Sequence, residues 1–252
     1  MTQTNNLFKK SIEILNNNNV NYWICHGTLL GIIRNKSLLS WDNDIDFAVW
    51  EDEYSKEDIL KIFTSDRGFK QELSLEEINS LHFETKGKRI DVNFYSRNKE
   101  KAFIKWAVLP ENYYENFYHL KILYQFVISF LVSNMTFKKA INSQNRKIYI
   151  IIKLLMIVPL AILRNILSIT VKKKLLENSY KKYDIVGYSY PLDLMKFKEV
   201  EFMGINIVIP KKPEDVLKFT YGEDWQIPKK NYVWFKEAKN LYRQKKNIKD
   251  IA

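Results

Sequence analysis

Apolar and polar positions divide the chain into recognisable elements. Leu7, Phe8, Ile12 and Leu15 recur at the intervals of an amphipathic helix. Residues 22–25 read as an apolar strand, and residues 29–35 as a short helix that follows the small residues Gly27 and Thr28. In residues 44–49 side chains change sides at every step, so Asp44 and Asp46 share one face while Ile45, Phe47 and Val49 share the other. Residues 89–95 alternate in the same way, with Ile90, Val92 and Phe94 on one face and Asp91 opposite. Gly87, between Phe83-Glu84-Thr85 and Arg89, predicts a hairpin that lays this strand beside a neighbour. Later, Val200-Glu201-Phe202 and residues 205–209 flank Met203-Gly204 as a second hairpin. Pro213-Glu214-Asp215 then has the chemistry of a helix first turn, Gly222 of its C-cap, and an aromatic tail from Trp225 to Phe235 is expected to pack back on the core.

Between these blocks the pattern changes. Residues 122–137 carry no charge, and residues 148–170 are strongly apolar but broken by Lys153, Pro159 and Arg164. Lysines gather at the margins, at Lys138-Lys139, Lys172-Lys173-Lys174 and Lys181-Lys182. Neither stretch offers the roughly 18–20 clean apolar residues of a spanning helix. Apolar faces flanked by cations are what helices lying in a membrane interface show, so this region is read as a helical insertion docked on an anionic membrane surface. Two buried core helices with solvated lysine ends are the alternative.

Composition narrows the class. A chain of 252 residues, 46% hydrophobic and 14% aromatic, can bury a good core, as one domain carrying an elaboration. One cysteine, Cys25, excludes an intramolecular disulfide and suits a reducing compartment; inside an apolar strand it reads as a small buried hydrophobe. The first ten residues have no apolar signal core. The net charge of +11 surrounds apolar helices instead of lining a stacking platform, so no nucleic acid is expected as partner. The expected location is cytoplasmic, peripherally on the cytoplasmic face of the membrane.

The acids carry the candidate chemistry. Two carboxylates side by side repel unless a cation lies between them, and Mg²⁺, a hard ion that takes oxygen ligands and keeps positions for water and phosphate, fits that role. Asp91 is a third carboxylate able to join the metal or to accept a proton from an attacking hydroxyl. The bland alternatives are a solvated turn at 42–44 and an exposed acid on an edge strand paired with Arg89 or Lys88. Gly27 and Thr28 stand where a helix N-terminus can receive a phosphate. Arg34 offers a fork for phosphate oxygens, or else a helix-end cation facing water; Lys36 is a weaker candidate of the same kind. His26 is a minor candidate for phosphate or nucleotide contact. His82 and His119 have no partners at metal-ligand spacing, so no zinc site is expected.

Gly27-Thr28-Leu29-Leu30-Gly31, Arg34 and Trp41-Asp42-Asn43-Asp44-Ile45-Asp46 together resemble the signature of LicD/fukutin-type phosphotransferases, in the nucleotidyltransferase superfamily typified by DNA polymerase β. Residues 201–210, followed by Pro213-Glu214, Leu217 and Tyr221-Gly222-Glu223-Asp224-Trp225, are similar to that family's second block. The resemblance implies an α+β fold, a mixed nucleotidyltransferase-like sheet flanked by helices, with the insertion above. It implies three regions: a catalytic core over 1–98, a helical membrane-interacting insertion over 99–184, and a C-terminal part over 185–252 that completes the substrate site. It further implies transfer of a phospho-alcohol from a CDP-linked donor, CDP-choline or a CDP-alditol, to a sugar hydroxyl of a glycan or glycolipid. Mg²⁺, or Mn²⁺ in its place, would sit on Asp44, Asp46 and Asp91, and Tyr221, Asp224 and Trp225 would touch substrate. Asn43 stands where the family commonly has an acid, which leaves it outside the metal set and Asp42 a doubtful ligand that shapes the loop. Transfer of NMP from an NTP and a catalytically silent membrane adaptor are the competing readings.

Overall fold

The computed structural model describes residues 3–72, 79–85, 88–108, 127, 128, 130, 131, 147–180, 184–229 and 232–244. The chain forms two compact units: residues 1–71, 78–106 and 186–244 make the first, and residues 72–77, 107–185 and 245–252 the second.

The first unit is built on a mixed sheet. Trp23–Ile24 (β1), Asp44–Trp50 (β2), Lys70–Glu72 (β3), Ser80–Glu84 (β4), Arg89–Arg97 (β5), Lys101–Val108 (β6), Asp184–Pro191 (β7) and Leu241–Gln244 (β10) join in it, with the path β1-β2-β5-β6-β7-β10 and β4 carrying β3 beside β5. β2 and β5 run parallel, with Asp46 opposite Asp91 and Asp44 opposite Arg89; β1 and β4 are antiparallel to them. The mixed sheet flanked by helices is the architecture the sequence implies. Phe197–Phe202 (β8) and Ile205–Pro210 (β9) form the separate antiparallel hairpin across Met203-Gly204. β2 is covered on both faces, by Phe8 of the N-terminal helix against Phe47 and by Thr28 beside Asp46, and Phe47, Ala48 and Val49 are fully buried. Asp46 therefore does not face water as an alternating strand would suggest; it is buried on the same strand.

Helices close both faces of this core. Gln3–Asn17 (α1) buries Phe8, Ser11, Ile12 and Leu15, and Phe8 stacks on Phe47 at 6.1 Å between ring centres. His26–Leu30 (α2) continues into a π-helical turn, Gly31–Asn35. Lys56–Thr64 (α3) begins with a reciprocal cap in which the Asp58 N–H donates to the Ser55 hydroxyl and the Ser55 N–H to the Asp58 carboxylate. Pro213–Tyr221 (α6) ends at Gly222, whose φ of +96° suits a residue without Cβ. A short turn of helix, Trp234–Glu237 (α7), precedes β10.

The described part of the second unit holds Lys147–Ile166 (α4) and Ile169–Tyr180 (α5). Ile157 and Leu160 of α4 pack with Phe130 and Leu131, and the Arg164 guanidinium lies 4.8 Å from the Phe130 ring centre. Leu155, Val158, Ile162 and Ile166 lie at helical spacing on the same helix and are exposed. Among the described residues no helix is long and apolar enough to cross a membrane. Most of 122–137, together with Gly87, His119, Lys138-Lys139 and Lys181-Lys182, lies outside the described residues.

Candidate active site

The site begins with a hydrogen bond that the ladder cannot supply. β1 pairs with β2 as far as Ile24 opposite Phe47, and then the chain turns away into α2. The Asp46 N–H, left without a strand partner, donates to the buried Thr28 hydroxyl at 2.8 Å. Such a bond contributes about 1 kcal/mol net and fixes the first turn of α2 against the acid strand. That turn starts three residues earlier than the sequence predicts. The Leu29 N–H already donates to the Cys25 carbonyl at 3.0 Å, and His26, at a φ of +48°, makes the corner. Gly27 and Thr28 are consequently inside the helix instead of before it.

Gly27 lies beneath the acids. A Cβ built there collides with the Asp42 carboxylate and stands 3.8 Å from Oδ2 of Asp46, so only glycine lets both approach. Burial, and then the charges of Asp44, Asp91 and Asp42, push the Asp46 carboxyl well above the ordinary carboxylate range, against the pull of Arg89. Burial and the neighbouring Asp44 carboxylate push Asp42 up to about 7, with Lys88 opposing. Lys88 also donates to the Asp42 carbonyl, and to that of Leu39 at 3.3 Å.

Arg89 ties the remaining acids together. Its Nη2 donates to Oδ2 of Asp44 at 3.0 Å and to Oδ2 of Asp91 at 2.7 Å, and its Nε lies 2.6 Å from Oδ1 of Asp91. Nδ1 of His82, directly across the strands from Asp91, is 2.9 Å from the same Oδ1. Burial alone would raise the Asp91 carboxyl; His82 and Arg89 outweigh it and hold it low. Asp91 is thus neither an edge-strand acid nor exposed, although it is paired with Arg89. Its partnership with His82 has no signal in the sequence, because it depends on the register between β4 and β5.

A cavity of about 340 Å³ opens beside these acids, within the size range of small-molecule sites. Asp42 and Gly27 form one wall; Arg34, brought in by the π-helical turn, and Lys229 supply cations; Trp41, Tyr221, Trp225 and Tyr232 supply rings. π-helical turns are frequent where a side chain must be redirected at a functional site. The structure so gathers Gly27, Arg34, Tyr221 and Trp225 of the expected substrate residues around one space. Asp224 is not on the wall, but its carboxylate holds Lys229, which is, at 3.0 Å. Lys36 caps the helical turn in a left-handed conformation and faces solvent. His26 sits apart from the cavity among Tyr95, Trp106 and Tyr188, with Nε2 3.3 Å from the Tyr95 hydroxyl; burial holds its ring down at about 4, against the charge of Asp91. Cys25 is buried, and burial followed by the Asp46 charge pushes its thiol well up, so it is no nucleophile.

Among the described residues no three carboxylate, imidazole or thiol groups already stand together as a metal site. The donor chemistry nevertheless fits a hard divalent cation. Mg²⁺ is held by one or two carboxylates with phosphate and water for the rest, and the half-buried Asp44 and the buried Asp46, which repel each other, are donors of that kind.

Residues 19–148 match the family described as LicD/FKTN/FKRP, nucleotidyltransferase domain. The C-terminal block lies outside the matched residues. An uncharacterized protein of Rickettsia prowazekii (strain Madrid E) is 31% identical over 119 residues, which are 47% of this chain and 42% of that protein. An uncharacterized protein of Rickettsia typhi (strain ATCC VR-144 / Wilmington) is 30% identical over 119 residues, 47% of this chain and 36% of the relative. The matches thus span less than half the length of these relatives.

Proposed function

Because the chain belongs to the LicD/FKTN/FKRP nucleotidyltransferase-domain family, we propose that it transfers a phospho-alcohol, phosphocholine or a phospho-alditol, from a CDP-linked donor to a sugar hydroxyl of a lipid-linked or cell-surface glycan. The family's general chemistry is phosphotransferase-type modification of glycans. The observation that carries the finer reading is the meeting, in one cavity, of Asp42 over Gly27, the Arg34 and Lys229 cations and four aromatic rings.

Arg34 and Lys229 would bind the donor's phosphates, and the rings of Trp41, Tyr221, Trp225 and Tyr232 would cover its base and exclude water. Asp44 and Asp46 would hold Mg²⁺, which when bound neutralises phosphate charge. The acceptor oxygen forms a bond to the distal phosphorus as the bond from that phosphorus to CMP breaks. The hydroxyl proton passes to Asp42, the acid on the cavity wall; Asp91 is enclosed by His82 and Arg89 and instead holds Arg89 against Asp44. Positioning and charge neutralisation account for most of the acceleration in such transfers.

Incubation with Mg²⁺ and labelled CDP-choline or CTP tests the reading. Release of CMP from CDP-choline, lost in Asp44→Ala and Asp46→Ala, supports it. Pyrophosphate release from CTP makes the protein a nucleotidyltransferase instead, and glycan modification unchanged in both variants makes it a silent adaptor.

We propose further that the exposed side chains of α4, Leu155, Val158, Ile162 and Ile166, rest in the interface of an anionic membrane, where Lys172 and Lys174 of α5 meet lipid phosphates.

A further inference from the structure

The first unit has a second concavity that the transfer chemistry above does not use. It is an open groove of about 690 Å³ along β6, β7 and β10. Lys101, Phe103 and Lys105 alternate along β6 and therefore stand on one face of that strand, with the Lys105 ammonium 5.6 Å from the Phe103 ring centre. Lys239 reaches the same groove from the segment before β10, and Phe219 lines it with 39% of its surface exposed.

Two properties distinguish this groove from an ordinary lysine-rich surface. No acid lines it, and among the described residues none of its three lysines is in an ion pair, whereas Lys212, Lys218 and Lys229 nearby in sequence are each paired with a carboxylate. Lys239 feels the nearby Asp224 carboxylate, whereas among the described residues Lys101 and Lys105 have no carboxylate at ion-pair distance, so the positive field at the β6 wall attracts anions. The last turn of α6 stands between it and the first cavity: Phe219 lines the groove, Tyr221 lines the donor cavity, and Thr220 between them is hydrogen-bonded to Tyr190 at 3.0 Å.

We propose that this groove binds the acceptor as a phosphate-bearing sugar, the lysines taking the phosphate and the exposed Phe219 ring the apolar face of the sugar. The proposal rests on the transferase reading for its link to the donor, and it gives that reading an anionic acceptor. Of the rings that line the groove, Phe103 and Tyr242 are half-buried and Phe219 alone is exposed, which fits one sugar better than the run of stacking platforms that a single nucleic-acid strand requires.

Binding of glucose 1-phosphate, glucose and inorganic phosphate to the full chain, followed by NMR titration, tests it. Glucose 1-phosphate should bind, and glucose at least ~10-fold more weakly, because a neutral ligand forfeits the charge-assisted contacts. Lys105→Glu combined with Lys239→Glu should weaken glucose 1-phosphate by ~30-fold or more, while Lys105→Arg keeps affinity within about 2-fold. An unchanged thermal midpoint shows that the double variant is folded; should it not fold, Lys105→Gln and Lys239→Gln made singly must each show the loss. Glucose on a polyprenyl diphosphate in micelles separates a soluble from a lipid-borne source: binding of either form with the same lysine dependence supports the proposal. Equal binding of glucose, indifference to the lysine variants, displacement of glucose 1-phosphate by saturating CMP, or preferential binding of a single-stranded oligonucleotide overturns it. A protein that binds the sugar phosphate but never CMP refutes the donor reading alone.

Discussion

Gly27 has no side chain because the Asp42 carboxylate occupies the place where one would be. Gly27→Ala should shift that acid by about an ångström and lower CMP release by on the order of 100-fold, since misplacement on that scale is costly in a positioned transfer. The accompanying loss of stability, about 1–3 kcal/mol of overpacking, is read from urea unfolding. Arg89 presents the opposite case, a cation whose absence would be felt by two acids. Arg89→Met leaves Asp91 and Asp44 without their shared guanidinium, and unfolding should become easier by about 1–3 kcal/mol, the cost of taking a partner from the buried Asp91 carboxylate while His82 remains on it. His26 supplies a pH dependence. Its ring stays neutral in the fold down to about 4, whereas an unfolded chain takes up a proton near the ordinary value of 6.5. Stability therefore falls as pH drops from about 6.5 towards 4, by about 3 kcal/mol, and His26→Asn should flatten that limb in urea titrations at successive pH values. The alternation of residues 44–49 makes the shared face of Asp44 and Asp46 legible in the sequence. The Asp91–His82 pair and the Arg89 bridge are not, because strand register, set only when β2, β4 and β5 assemble, decides who faces whom.

Elements with strong local chemistry are the ones a reader of the sequence finds. Met203 and Gly204, both at positive φ, give the β8–β9 hairpin the backbone twist that a two-residue turn needs, and Pro213 and Gly222 bracket α6. Gly204→Val puts a branched side chain into the left-handed region and should cost about 1–2 kcal/mol of stability, measured by thermal or urea unfolding. α2 is less legible: its first turn is held by Thr28 and the strand beside it, a tertiary contact that propensity does not encode. β7 and β10 are harder still, because each finds its neighbour across a long stretch of chain.

For the molecule as a whole, the charge of +11 and the exposed face of α4 bear on where the protein works. The full chain should float with vesicles containing phosphatidylglycerol at low salt and less so at high salt, since screening shortens the reach of lysines. Ile162→Ser with Lys172→Glu and Lys174→Glu should leave it at the bottom of the gradient. A protein that sediments with or without these changes has no such affinity. The division into two units has a consequence for synthesis. β6 ends as the chain leaves the first unit, and its sheet neighbour β7 begins only as the chain returns. At roughly 5–20 residues per second, the roughly 80 residues between them keep the ribosome occupied for about 4–16 s. For that interval the nascent sheet exposes the unpaired N–H and C=O groups of β6, and the growing chain is most open to aggregation, or to chaperone capture, before its first unit can close.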